Sequence, residues 1–339
     1  MSANDPENWT HQIPMKILVT GATGYLGGNF IKYLLKNRQS DINISALMRT
    51  ELHSWRQDEI SIIKGDLTNL QEDEFCNERY DVIVHFAALM ADNDELPTSA
   101  FNRVNLEGTR NLILAIKNCG VRQFIQISTV GVYGATTKVP ILEESKYGSD
   151  LSAYETSKVN AEIIGRELCV KLDIPLTILR LGLMYGEGMK YGWPDVISSI
   201  QKGEMKIIGD GKPLIQLSYV HDIIQGIYGS MGNESTFGET INLCGDDVCS
   251  ISEVFNKIAD ILKAPHPGKI PYKPLYLLSL GLVQFPKFLK PKKIRLITPH
   301  RIRFFKENHV YSIAKARQVI NFSPDHDLKS GLQRMISNC

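Results

Sequence analysis

The sequence predicts an α/β fold with a doubly wound parallel sheet, and three observations lead to this prediction. Strand-like apolar runs alternate with helical patterns through the first half of the chain. The runs are apolar at nearly every position, which is typical of strands covered by helices on both faces. The 339 residues form one large domain or two modest ones, so a core can be buried without disulfides or a structural metal.

The spacing of the apolar residues along the chain predicts the individual strands and helices. Lys16–Thr20 is predicted as a buried strand, and the helix over Leu26–Asn37 places Phe30, Ile31 and Leu34 on one face. Further strands are predicted at Ile42–Leu47, Ile60–Lys64, Asp81–Phe86, Gln123–Ser128 and Leu176–Leu181. Two long helices are predicted between the later strands, at about Ser99–Cys119 and Ser152–Leu172. This order is typical of parallel strands joined by crossover helices.

The second half of the chain predicts a smaller, irregular domain. Seven of the fifteen prolines lie between Pro265 and Pro299. We expect a loose tail over residues 1–14 and a first domain over residues 15–186, to which pieces near residues 218–246 return. The second domain is expected over residues 187–217 and 247–339, partly interleaved with the first.

Composition excludes several classes of protein. Apolar residues make up 43% and charged residues 22% of the chain, which excludes disorder and coiled coil. The net charge of +1 predicts no nucleic-acid partner. Neither a signal peptide nor a run of 18 apolar residues is present. The six cysteines have no metal-ligand spacing, so we expect a cytoplasmic protein with reduced thiols and no metal site.

A glycine-rich turn follows the first predicted strand. Residues 21–28 read GATGYLGG and lead directly into a helix. Glycines at this spacing let the backbone turn tightly and approach a pyrophosphate at the helix N-terminus. Strand before and helix after are the contexts that a dinucleotide site requires. The sequence therefore predicts a dinucleotide cofactor at this turn.

The ends of the next two strands bear on which dinucleotide binds. An NAD-binding sheet commonly carries an acidic residue about 20 residues past the glycines. Arg49 stands there instead and suits a ribose 2′-phosphate, so NADP(H) is the preferred prediction and NAD(H) the alternative. Arg49 as an ordinary solvated residue is the other interpretation. Asp66, after the third strand, either accepts a hydrogen bond from adenine or caps its own loop.

Tyr154 and Lys158 lie four residues apart at the start of a predicted helix, on one helical face. An ammonium group beside a phenol favours the phenolate. A tyrosine in that setting can exchange a proton with a substrate hydroxyl or carbonyl while a nicotinamide exchanges the hydride. Ser128 and Thr129 end the fifth predicted strand, at the sheet edge where ligands bind.

These motifs together resemble the extended short-chain dehydrogenases/reductases, which include NAD-dependent epimerases, dehydratases and 3β-hydroxysteroid dehydrogenase-like enzymes. The resemblance covers about Lys16 to Asp222 and implies a Rossmann-type fold. The matching segments, in family order, are TGATGYLGG (20–28), GDL (65–67), HFAA (85–88), NLEGT (105–109), STVGVYG (128–134), YETSK (154–158) and LRLGLMYG (179–186).

The resemblance also implies a role for each matching residue. Tyr154 takes the place of the acid/base, Lys158 of the residue that holds the ribose, Thr129 of the catalytic Ser/Thr and Asn105 of the active-site asparagine. The remaining cofactor-binding positions are expected at Gly21, Thr23, Gly24, Tyr25, Leu26, Gly27, Arg49, Asp66, Leu67, Phe86, Ala87, Ala88 and Leu181.

Two positions depart from the nucleotide-sugar members of this family. Their R-x-x-N pattern ends here in Leu183, and their R-D-x-x-x-V-x-D pattern begins here with Ile215. Neither side chain can donate to a diphosphate, and an unpaired buried charge is costly. We therefore favour an NAD(P)-dependent oxidoreductase acting on a fairly hydrophobic alcohol or ketone. A nucleotide-sugar epimerase or dehydratase is the alternative, and a non-catalytic NADP(H) sensor is a third.

The two long helices carry more apolar residues than one sheet-facing stripe needs. The surplus comprises Leu106, Leu112, Ile113, Ile116, Ile163, Ile164 and Leu168. Family members commonly pair these helices with those of a second subunit, so the resemblance implies a homodimer. The alternative is that both stripes pack on the sheet.

Lys263 to Lys306 form a basic segment with eleven Lys or Arg residues and no Asp or Glu. It is interleaved with apolar runs at Leu275–Phe285 and Ile302–Phe305. Three interpretations stay open: a solvated rim, a site for an anionic substrate or carrier such as a coenzyme A thioester, and peripheral docking on an anionic membrane.

Overall fold

The central feature of the computed structural model is a sheet of seven parallel strands, which confirms the predicted fold class. The structure describes residues 14–37, 42–49, 59–71, 75, 78–90, 96–135, 138–283 and 297–338. The described strands are β1 (Met15–Thr20), β2 (Ile42–Met48), β3 (Ser61–Lys64), β4 (Val82–His85), β5 (Gln123–Thr129), β6 (Leu176–Leu181), β7 (Leu183–Tyr185), β8 (Lys206–Ile208), β9 (Leu214–Tyr219), β10 (Thr240–Leu243), β11 (Val248–Ser250) and β12 (Gly268–Ile270).

Helices cover the sheet and build the rest of the molecule. The described α-helices are α1 (Tyr25–Lys36), α2 (Thr98–Phe101), α3 (Gly108–Ala115), α4 (Ala153–Lys171), α5 (Trp193–Gln201), α6 (Val220–Ser230), α7 (Ile251–Leu262), α8 (Tyr272–Val283), α9 (Pro299–Phe304), α10 (Ala314–Ile320) and α11 (Leu328–Ser337). A π-helical stretch over Asn102–Glu107 joins α2 to α3. The helix predicted over Ser99–Cys119 is therefore wound wider in its first half and ends at Ala115.

The strand order of the main sheet is β10-β6-β5-β4-β1-β2-β3. From β1 the strands are added first towards one edge of the sheet, as β2 and β3, and then towards the other edge, as β4, β5, β6 and β10. The direction reverses between β1 and β4. In a doubly wound sheet, ligands bind beyond the carboxyl ends of the strands at such a reversal. Thr20 and His85 face each other across this point in the register of β1 and β4.

Both faces of the sheet are buried. Phe30 and Ile31 of α1 pack on one face, and Leu112, Ile113 and Ile116 lie in the core on the other. The expectation that these three residues are surplus to the core is wrong, since each is fully buried. On α4, by contrast, the side chains of Ile163 and Val170 are 41% and 84% exposed.

The second half of the chain builds a separate small core. β7, β9 and β11 form a three-stranded sheet, and β8 pairs with β12. α7 buries Val254, Phe255 and Ile258 against β9 residues such as Leu217. β10 then pairs with β6, so the chain returns to the main sheet after leaving it.

Several predicted features lie outside the described residues: most of the tail, Cys76, Cys339 and the middle of the basic segment, residues 284–296. The buried Cys169 and Cys244 are free thiols. Within the described ranges no helix is both long and apolar enough to cross a bilayer. The same ranges hold no cluster of three or more potential metal ligands.

Candidate active site

The glycine-rich turn lies against the loop that follows β4. Gly21 has a φ of +72°, and a Cβ atom there would stand 2.6 Å from the backbone nitrogen of Ala87. A Cβ atom on Gly27 would stand 2.4 Å from the carbonyl oxygen of Gly21. These two positions therefore require glycine so that strand, turn and helix can pack closely.

The N-terminus of α1 suits an anionic ligand. Its N-cap is Gly24, no side chain caps it, and its first turn carries no acidic residue. Backbone N–H groups at such a terminus and the helix dipole both favour a phosphate. The residues of this turn thus fit the pyrophosphate of a dinucleotide.

The other predicted cofactor positions differ in exposure. Thr23 is exposed, Leu26 is buried, and the Tyr25 hydroxyl points towards Gly186. The predicted positions Phe86, Ala87 and Ala88 are half-buried beyond β4, whereas Leu67 and Leu181 are buried.

Arg49 and Asp66 lie at the carboxyl ends of neighbouring strands. Arg49 is exposed. Asp66 accepts hydrogen bonds of 2.9 Å from the backbone nitrogen and the hydroxyl of Thr68, so it caps its own loop. The bond from the Thr68 backbone, with a smaller contribution from the charges of Arg49 and Arg103, lowers the pKa of Asp66. Its role towards adenine stays a prediction.

A buried chain of hydrogen bonds joins β1, β4 and α3 next to the glycine-rich turn. The sequence did not predict it. His85 Nδ1 lies 2.7 Å from the hydroxyl of Thr20, and His85 Nε2 lies 2.9 Å from that of Thr109. The Thr109 hydroxyl donates its hydrogen to the Asn105 carbonyl at 2.6 Å, so His85 Nε2 must be the donor towards Thr109. His85 Nδ1 then accepts from Thr20, whose oxygen accepts from the Ala87 N–H at 3.3 Å.

His85 is neutral in this chain. Burial lowers its pKa to about 3, and the nearby charge of Lys158 adds to the effect. The neutral tautomer with its proton on Nε2 therefore links the loop after β4 to β1 through the hydroxyl of Thr20.

Asn105 ties three parts of the candidate site together. It lies in the π-helical stretch, where its side chain is buried. Its amide exchanges two hydrogen bonds with the backbone of Leu89, at 2.6 and 3.1 Å. Its Nδ2 also donates to the Ser157 hydroxyl at 2.9 Å, and Ser157 donates to the carbonyl of Tyr154 at 2.6 Å. Asn105 therefore fixes the start of α4 against the loop after β4.

Tyr154 lies in the first turn of α4, which begins with a capping box formed by Ser152 and Glu155. Its ring is half-buried, with the ring of Phe101 6.4 Å away at an edge-on angle. Its hydroxyl lies 3.8 Å from the sulfur of Met90, an exposed residue of the loop after β4. The hydroxyl is thus held beside the carboxyl edge of the sheet.

Lys158 is buried one turn further along α4. Its Nζ donates to the carbonyl of Ile127 at 2.7 Å. Burial lowers the pKa of Lys158 to about 8, although the carboxylate of Glu162 opposes the shift. Thr129 ends β5, and its hydroxyl accepts from the Gly131 backbone at 3.1 Å. α4 and β5 thus bring Tyr154, Lys158 and Thr129 to one end of the sheet.

A buried ion pair supports this end of the sheet. The Glu162 carboxylate accepts two hydrogen bonds from Arg180, at 3.0 and 2.7 Å, and one of 2.5 Å from Ser128. The Arg180 guanidinium also lies over the rings of Tyr133 and Tyr147. Breaking such a pair leaves an uncompensated buried charge, so the pair locks α4 onto β5 and β6.

Helix α9, in the C-terminal half, contacts the start of α4 and the segment just before it. His300 of α9 lies 3.4 Å from Glu155, and Arg303 forms an ion pair with Asp150. These contacts lie on either side of Tyr154 in the sequence. They were not predictable, because the partners are about 150 residues apart.

The two departures from the nucleotide-sugar pattern lie in different surroundings. Leu183 is 42% exposed, whereas Ile215 is buried in the small core. Of these two side chains, only that of Leu183 therefore exposes an apolar surface to the solvent.

The sequence profile of the NAD-dependent epimerase/dehydratase family matches residues 17–244. The chain belongs to this family. The matched range holds the glycine turn and all four candidate catalytic residues, so the family resemblance read from the motifs is confirmed.

Relatives in this epimerase/dehydratase family act on different substrates. One is the N-acetyl-α-D-glucosaminyl-diphospho-ditrans,octacis-undecaprenol 4-epimerase of Escherichia coli O157:H7, with 27% identity over 94% of each chain. Another is a decarboxylating sterol-4-α-carboxylate 3-dehydrogenase of Candida albicans, with 23% identity over 93% of this chain and 95% of the relative. The UDP-glucuronic acid 4-epimerase of Bacillus cereus, solved with UDP-glucuronic acid and NAD, is similar in fold. Its TM-score is 0.74, at 23% identity over 96% of this chain and 98% of that one.

Proposed function

We propose that this protein is an epimerase-type enzyme that oxidises and re-reduces a sugar hydroxyl by hydride exchange with a nicotinamide, with Tyr154 as the acid/base. The observation that carries the proposal is that Tyr154 and Lys158 lie one turn apart on α4, where Lys158 donates a hydrogen bond to the carbonyl of Ile127 in the strand that ends at Thr129. The bound dinucleotide would supply the hydride acceptor and donor. Tyr154 would take the hydroxyl proton as the carbonyl forms and return it afterwards.

The other residues are assigned positioning roles. Thr129 is assigned a hydrogen bond to the reacting oxygen, and Lys158 a bond to the cofactor ribose and a charge that favours the tyrosinate. Asn105 acts through the backbone of Leu89 and through Ser157, so it is a positioning residue in this proposal.

We assign the sugar to a lipid carrier rather than a nucleotide. Leu183 stands where the nucleotide-sugar enzymes have a polar anchor, and it is exposed. A relative with 27% identity is named for a substrate in which a sugar and a diphosphate are joined to a polyprenol. A carrier of that kind agrees both with the hydrophobic substrate favoured by the sequence and with the sugar chemistry of the relatives.

The test is a substrate panel followed at 340 nm, with product sugars separated by chromatography. The panel contains UDP-glucose, UDP-glucuronic acid and a polyprenyl-diphospho-N-acetylglucosamine. We expect an epimeric product from the lipid-linked sugar, no net change in absorbance and little conversion of the UDP-sugars. Conversion of UDP-sugars alone would contradict the carrier assignment.

A net oxidoreductase of a hydrophobic alcohol is the second candidate. The exposed Leu183 and the sterol dehydrogenase relative favour it, but the sugar-modifying relatives support epimerisation better. A stoichiometric change at 340 nm with an alcohol or ketone would identify this activity.

For the cofactor, we assign NADP(H) preference to Arg49. Its exposed guanidinium lies beyond β2, where a 2′-phosphate would approach. The similar Bacillus cereus structure contains NAD, so NAD(H) is the competing choice. We also propose a homodimer formed through the exposed apolar residues of α4, Ile163 and Val170.

A further inference from the structure

Helix α8 exposes leucines where a helix of a globular protein normally shows polar residues. The side chains of Leu277, Leu278 and Leu280 are 66%, 53% and 44% exposed. We call these three side chains the leucine face. Ser279 is fully buried on the opposite side, so the helix is packed on the protein while the leucine face points away from it.

We propose that the leucine face docks on an anionic membrane surface. Lys273 lies one turn before Leu277, on the same side of α8, and is exposed. The exposed Lys306 lies over the ring of Tyr272, 5.6 Å from its centroid, at the same end of the helix. Apolar side chains flanked by exposed ammonium groups match an interface of acyl chains and anionic headgroups.

The sequence that contains α8 is strongly basic, which favours an anionic partner. No Asp or Glu occurs between Lys263 and Lys306, whereas the rest of the chain carries 27 basic and 37 acidic residues. An apolar protein partner would not require this separation of charge. A basic residue near an anionic bilayer contributes about 1 kcal/mol, which is about five-fold in the partition coefficient.

The docking surface is connected to the candidate active site. α8 packs against α9, and α9 contacts the start of α4 through His300 with Glu155 and Arg303 with Asp150. A bilayer held at α8 would therefore be linked through α9 to the first turn of α4, which carries Tyr154. The surface itself is independent of the reaction, but its use in delivering a lipid-linked sugar rests on the proposed function.

The experiment is co-sedimentation of the full-length protein with vesicles, without any substrate. One set contains phosphatidylcholine alone and the other phosphatidylcholine and phosphatidylglycerol in equal parts. We expect binding to the anionic set only, lost at high salt. The variant Leu277→Gln/Leu278→Gln/Leu280→Gln should bind at least about tenfold more weakly. Lys273→Gln/Lys306→Gln should lose about five-fold per lysine.

The control is Leu142→Gln/Val248→Gln, which changes two leucine-sized or smaller side chains that are exposed elsewhere. It should bind like the wild type, and thermal unfolding should show all variants folded. Absence of wild-type binding, or binding unchanged in the leucine variant, overturns the proposal. So does a wild type that forms α8-dependent oligomers and ignores vesicles. Because no turnover is measured, a failed proposed function leaves this result intact.

Discussion

The ammonium group of Lys158 donates a 2.7 Å hydrogen bond to the carbonyl of Ile127, two residues before the end of β5. This bond joins the helix that carries Tyr154 to the strand that carries Thr129. The ammonium is buried, and this burial lowers the pKa of Lys158 to about 8. Lys158 therefore changes its protonation state within the pH range of ordinary experiments.

Cofactor binding should depend on pH through Lys158. Its folded-state pKa of about 8 means that the protein loses this positive charge as the pH rises through 8. If the ammonium holds the cofactor, affinity falls above pH 8 by up to about tenfold per unit. Fluorescence titration between pH 6 and 10 measures this. Lys158→Met should bind weakly and without that dependence, whereas a flat wild-type profile would remove Lys158 from the cofactor site.

Arg49→Ala tests the cofactor preference. Loss of a hydrogen-bonded charge partner should weaken NADP(H) binding by about 1.5–3 kcal/mol and leave NAD(H) binding unchanged. Calorimetric titration with both cofactors gives the two values. Arg110→Ala is the matched control, since Arg110 is exposed on α3 and pairs only weakly with Glu107 at 3.6 Å. Equal losses for both cofactors in Arg49→Ala would refute the assignment.

His85→Leu should destabilise the fold. It removes the acceptor of the buried Thr20 hydroxyl hydrogen, and an unsatisfied buried donor costs about 1–3 kcal/mol. Thr109 loses the hydrogen bond that it accepts from His85 but still donates to the carbonyl of Asn105. Urea unfolding measures this loss.

The pH dependence of the same unfolding isolates His85. The unfolded chain protonates His85 below its ordinary pKa of 6.5, whereas the folded protein keeps it neutral down to about 3. Wild-type stability should therefore fall as the pH drops from 6.5 towards 3, by at most about 1.4 kcal/mol per unit from this group. The slope should be smaller in His85→Leu. Identical slopes would mean that His85 is not buried neutral.

The dimer prediction depends on α4. Ile163→Glu/Val170→Glu places two charges on its exposed apolar face and should halve the molar mass measured by light scattering. Leu142→Glu, at another exposed position, should not. A wild type that is monomeric at micromolar concentration would disprove the dimer.

Strands and helices were predictable from the sequence where the hydrophobic pattern is set by residues close together in the chain. β6 has the predicted bounds, and α1 and α4 begin and end within one residue of expectation. The π-helical stretch was not predictable, because Asn102–Glu107 differs from an α-helix only in which carbonyl each N–H reaches.

The candidate site was predictable as a set of residue types but not as a network. Tyr154 and Lys158 share a helix, so their spacing implies that they lie close together. The contact between Glu162 and Arg180, or between His300 and Glu155, joins elements far apart in the chain. Such pairs form because the fold packs distant elements together, so no sequence spacing predicts them.

The most direct test of the proposed chemistry compares wild type and Tyr154→Phe on a substrate that the wild type converts. The variant keeps the ring and removes only the hydroxyl. We predict that turnover falls about 100-fold or more, the usual loss for a general acid/base, while cofactor affinity stays at the wild-type value. A Tyr154→Phe protein that epimerises its substrate at the wild-type rate would contradict the account.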